Sequence, residues 1–130
     1  TLDMLYEQLE SATSNKNQAK AIKEIARCYI DFSFGNYNFW SLLFDHQYKN
    51  PKLPSWYSKK IDSIFSLVLA QIKAYYKSNK ESQNLARVLW AALHGIATLS
   101  LRGKLDAAKS KSAQVLTDLF IKNFISGLNA

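Results

Sequence analysis

Between Ala19 and Phe34 the inward-type positions Ala19, Ile22, Ile25, Ala26, Tyr29, Ile30 and Ser33 recur at threes and fours, and Lys23, Glu24, Arg27 and Asp31 lie opposite. That period belongs to a helix with one buried side. It returns from Trp56 to about Tyr76, where Tyr57, Ile61, Ile64, Phe65, Val68, Ile72, Tyr75 and Tyr76 share a stripe and Lys59, Ser66, Lys73 and Lys77 stay outside. No alternating run of β-branched residues competes with it, and the 130 residues contain only two Pro and four Gly. The pattern predicts an all-α fold, a bundle of about five to six helices.

Breaks between the stripes set the expected boundaries. "LDMLYEQLESA" reads as a helix, ended by the polar "TSNKNQ". After the helix of about Ala19–Phe34, "FGNY" offers Gly35 and Asn36, residue types that tolerate a left-handed C-cap. "YNFWSLLFDH" is bulky on every side, so a short helix buried on most faces is expected there. Pro51 and Pro54 mark "QYKNPKLPSW" as a loop. "KSNKES" reads as the break before a helix of about Gln83–Leu101, which ends at Gly103 after Arg102. The last helix is expected over about Ser110–Leu128, with Gly127 and Asn129 as its stop. Residues 1–130 form one domain by size.

Forty-eight per cent apolar residues, with three Trp, seven Tyr and seven Phe, suffice for a core and exclude disorder. Cys28 is the sole cysteine, so there is no internal disulfide or thiolate cluster, which fits a cytoplasmic protein. The longest apolar run, "IFSLVLAQI", is about half a membrane span, and no signal peptide precedes it, so no membrane partner is expected. The chain opens in "TLDMLYEQLESATSNKNQ" with Met4 internal, which reads as the tail of a helix whose preceding segment is missing. Net charge is +7, yet the basic residues are scattered near helix ends rather than gathered in a stripe with exposed aromatics. They read as solvated faces; the competing reading is an electrostatic nucleic-acid or membrane binder.

The last two helices suggest a partner. Ala113, Leu116, Phe120, Ile121, Phe124, Ile125 and Leu128 form a broad apolar arc that Val115 and Leu119 widen. A helix on a monomer's surface needs one stripe. In the helix before it, Ala91, Gly95, Thr98 and Arg102 share a face, and the first three are small enough to admit another helix closely. The expected arrangement is a four-helix interface with a symmetry mate, carried by Ala91, Gly95, Thr98, Leu116, Leu119, Phe120 and Phe124. The alternative is a pair of ordinary interior helices in a monomer.

In "LWAALHGIATLSLRG" His94 and Gly95 stand side by side inside a helix, where Gly costs about 1 kcal/mol relative to Ala. Trp90 and His94, four apart, stack on one face. His94 is either a core imidazole with a hydrogen-bond partner or a polar anchor in an apolar cavity. Tyr29, Phe32, Phe39, Trp40, Phe44, Phe65 and Trp90 come from four segments that a small domain brings together. They fill a core or border a cavity; the candidate ligand-binding set is Tyr29, Phe32, Phe39, Trp40, Phe65, Leu69, Trp90 and His94. Catalysis and metal binding find no support: there is no Gly-rich phosphate loop, nucleophile elbow or paired carboxylates, and His46 lies in a different segment from His94. Cys28 reads as packing. No cofactor is implied, and no enzyme activity.

Trp90-x-x-x-His94-Gly95 resembles a signature in one branch of the C-terminal domains of TetR/AcrR-type bacterial transcriptional regulators. "YIDFSFGNYNFWSLLF" is similar to that family's helix–turn–aromatic-helix pattern, with Tyr37 where the family carries Pro after Asn36. The resemblance runs from Ala19 through Leu128. It implies a domain that binds a small apolar or aromatic effector, forms a homodimer through its last two helices, and contacts operator DNA only through an N-terminal helix-turn-helix domain absent from this chain. Residues 1–14 would be the end of the connecting helix, and the function that of a repressor whose operator affinity the effector alters. The alternative function is a helical protein–protein interaction domain with no ligand pocket.

Overall fold

The computed structural model describes residues 2–14, 17–36, 55–75, 78–101 and 110–129. They form five α-helices: α1 (Leu2–Thr13), α2 (Gln18–Gly35), α3 (Ser55–Lys73), α4 (Asn79–Leu101) and α5 (Ser110–Leu128), with no strand among the described residues. α2 is the hub. It packs against each of the other four, while α1 also meets α3, α3 meets α4 and α4 meets α5.

The local sequence explains why α2 can take that position. Asn17 caps its start, with Oδ1 accepting the Lys20 N–H at 3.1 Å. Ala21, Ile22, Ile25, Ala26, Tyr29, Ile30, Phe32 and Ser33 are buried, whereas Lys23, Glu24, Arg27 and Asp31 are exposed. Ser33 is tolerated in the core because its hydroxyl donates to the Ile30 carbonyl at 2.7 Å. Thr117 of α5 solves the same problem by donating to Ala113 O at 2.8 Å. Leu5, Leu9, Ile22, Ile30, Ile72 and Leu89 are fully buried, each contributing about 1.5–3 kcal/mol by removal from water. Outside, Arg27 donates to both carboxylate oxygens of Asp118, at 3.3 and 3.0 Å, and Gln114 donates to Arg27 O and Asp31 Oδ1. These bonds tie α5 to α2.

Two boundary expectations are corrected. α2 does end at Gly35, but Asn36 has φ −131° and ψ 46°, not a left-handed conformation. Its backbone N–H donates to Phe32 O at 2.9 Å, and its side-chain amide adds a bond to the same carbonyl, so the last turn is satisfied without one. α4 begins at Asn79, inside the stretch read as a break. There Ser78 Oγ accepts the Glu81 N–H at 3.3 Å and Ser78 O accepts the Ser82 N–H, so a cap starts the helix before its apolar period begins. The short aromatic helix expected over 37–46 and the loop with Pro51 and Pro54 lie outside the described residues.

Candidate ligand-binding cavity

Where α1, α2, α3 and α4 converge they leave a cavity of about 30 Å³. Leu5 and Leu9 of α1 form one wall; Ile25 and Tyr29 of α2, Ile64, Phe65 and Val68 of α3, and Ala86, Leu89, Trp90 and Leu93 of α4 form the rest. None of these side chains is charged. Each wall arises from the inward stripe of its helix, so the hollow lies on the domain's own core. Phe65 and Trp90 face each other with ring centroids 6.5 Å apart, tilted by 36°.

Of the aromatic set singled out from the sequence, Tyr29, Phe65 and Trp90 border this space. His94 does not line it, but its Nδ1 lies 3.1 Å from the Tyr29 hydroxyl, a hydrogen bond whose donor depends on the imidazole tautomer. Phe32 is buried in the core and Leu69 is half-buried, and neither lines the cavity. Phe39 and Trp40 lie outside the described residues. The aliphatic walls were not singled out. Leu5–Leu9 and Ile64–Val68 carry the four-residue spacing of an inward face, a signal that marks burial but not what the face surrounds.

Polar contacts also tie α1 to α3. Lys60 of α3 reaches Asp3 at 2.7 Å and lies 4.9 Å from the centre of the Tyr6 ring. The hydrogen bond to Lys60 holds Asp3 below the usual carboxylate range. Cys28, half-buried on α2, has its thiol pushed up by burial and then by the Glu24 and Asp31 carboxylates, which disfavours the nucleophilic thiolate. Among the described residues no group of three or more His, Cys, Asp or Glu is placed to hold a metal ion, and no helix is long and apolar enough to cross a membrane.

On the opposite side of α4 from its core stripe, Gly95 faces open space: a Cβ built there meets nothing within 4 Å. Ala91 is exposed and Thr98 half-buried, and Val88 and Leu99, 52% and 42% exposed, continue the same surface. On α5, Leu119 and Val115 are exposed, while Leu116, Phe120 and Phe124 are half-buried, the two rings 5.6 Å apart. Nothing among the described residues therefore uses the glycine's lack of a side chain.

A solved structure of a protein of unknown function from Rhodococcus sp. RHA1 is similar in fold, with a TM-score of 0.75 and 20% sequence identity over 94% of this chain and 67% of that one. No curated protein matches the sequence. The family model for the tetracyclin repressor-like C-terminal domain matches residues 22–123, from the core of α2 into α5. With most of its length so matched, and its five helices assembled as described, the chain belongs to the family of tetracyclin repressor-like C-terminal domains.

Proposed function

We propose that this domain is the effector-sensing and dimerising part of a TetR-type bacterial transcriptional repressor, a cytoplasmic protein without enzymatic activity. A small apolar or aromatic molecule enters the cavity between α1 and the other helices, and the resulting shift of α1 alters operator binding by an N-terminal helix-turn-helix domain. The carrying observation is that α1 supplies a cavity wall through Leu5 and Leu9. Ligand sites for drug-sized molecules are about 300–1,000 Å³, far above the 30 Å³ found here. A guest must move a wall, and the Lys60–Asp3 pair between α1 and α3 is solvated at Asp3 and weak. A ligand acts on the operator only through its differential affinity for the two positions of α1. The couplings known for such systems are about 1–3 kcal/mol.

The dimer in this reading joins α4 and α5 to their symmetry mates through Ala91, Gly95, Thr98, Leu116, Leu119, Phe120 and Phe124. The support is the exposed apolar surface of Val88, Leu99, Val115 and Leu119 around an open glycine. Measuring operator affinity of the full-length regulator while titrating a bound apolar ligand tests the proposal; affinity unchanged at saturation defeats it. The small cavity favours a second reading, a protein–protein interaction domain with a filled core. That reading expects a monomer by light scattering and no uptake of apolar probes.

A further inference from the structure

The hollow between α1, α2, α3 and α4 turns an almost wholly apolar surface inward. Only Tyr29 and Trp90 among its lining residues carry a polar side-chain atom. The Tyr29 hydroxyl lies 3.1 Å from His94 Nδ1, and Tyr29, His94 and Trp90 each have further interactions within the protein. A guest therefore finds no hydrogen-bonding position to use. Water meets the same difficulty. About 30 Å³ is room enough for one molecule, but a buried water needs two to four polar partners. The site is dry, and all it offers a guest is contact with hydrocarbon, at about fourfold in affinity for each methylene buried. A hydroxyl, carboxylate or ammonium on the guest would lose its hydration and gain nothing in exchange.

We propose that the effector presents to this hollow a bare hydrocarbon surface, an aryl or alkyl group without a hydrogen-bonding atom, and that the site selects by excluding polar groups. The proposal rests on the reading of the cavity as a ligand site. Calorimetric titration of the intact protein with toluene and with phenol tests it, because the two exchange a methyl for a hydroxyl at nearly constant shape. Phenol is expected to bind about 5–100-fold more weakly than toluene. Ile64→Val removes one methylene from the α3 wall, where Ile64 is buried, and circular dichroism reports that the variant is folded. It is expected to bind toluene about 2–5-fold more tightly, since less of the wall has to move. The preference over phenol is expected to persist, since no polar atom has been added. If toluene binds, Ile64→Val shifts its affinity and phenol binds at least as tightly, the exclusion of polar groups is overturned and the cavity stands as a ligand site. If neither probe binds, or Ile64→Val leaves the affinity for toluene unchanged, the cavity reading falls and this proposal with it.

Discussion

Gly95 carries a local helix cost that no contact among the described residues offsets. Its helix would accept alanine, since the added Cβ meets open space and alanine favours the helix by about 0.5–1 kcal/mol. Gly95→Ala is therefore expected to raise the stability of the monomer by that amount in urea unfolding at low concentration. If a symmetry mate packs at this surface, the same substitution weakens self-association measured by sedimentation; a variant gaining stability with unchanged association removes Gly95 from the interface. Asp118 offers a test of a different kind. Its carboxyl is held below the usual range by the hydrogen bond to Arg27, so its contribution is present above ordinary carboxylate pH and is lost as pH falls through the depressed value. The pair is half-exposed, which limits its worth to about 0.2–1 kcal/mol. Asp118→Asn is expected to cost no more than that at pH 7 and to flatten the decline in stability below about pH 4, read from urea midpoints across pH.

At the scale of helices, the sequence was most readable where burial is one-sided. α2 and α5 run within a residue or so of their expected limits, because Ile22, Ile25, Tyr29 and Ile30, or Ala113 and Ile121, repeat with the period of the helix that buries them. α4 begins four residues before its apolar period suggests, because its first turn, Asn79–Ser82, is polar and owes its start to Ser78 rather than to an apolar stripe. Ser78→Ala is expected to cost about 1 kcal/mol and to fray that turn, seen as faster amide exchange at Glu81 and Ser82. The cavity was only partly legible. Tyr29, Phe65 and Trp90 stand out in the sequence as large rings, but Phe32, equally conspicuous, packs elsewhere, and Leu5 and Leu9 look like any inward leucines. Which faces surround a gap is decided by how helices cross, and spacing within one helix does not encode that.

For the molecule as a whole, the proposed dimer would cover the exposed apolar surface of α4 and α5. Leu119 and Val115, 59% and 63% exposed, stand outside the buried core cluster. Leu119→Lys is thus expected to leave the circular dichroism spectrum unchanged and the unfolding free energy at low concentration within about 0.5 kcal/mol of wild type. In the proposed dimer it places a charge inside an apolar contact, and light scattering is expected to report a shift to monomer; wild-type protein that is monomeric at high concentration excludes the dimer outright. The melting temperature of a dimer also climbs with protein concentration, a dependence that the variant lacks.

The narrowness of the hollow against α1 has a consequence for any molecule that fills it. Room has to be made by prising leucines off their neighbours, and that work is subtracted from the adhesion of the newcomer. In the proposed sensor a slim guest clings well and disturbs little, whereas a bulky one holds on less firmly and pushes harder. Rank by grip and rank by effect need not agree, so a screen scored on affinity alone will favour the quietest compounds.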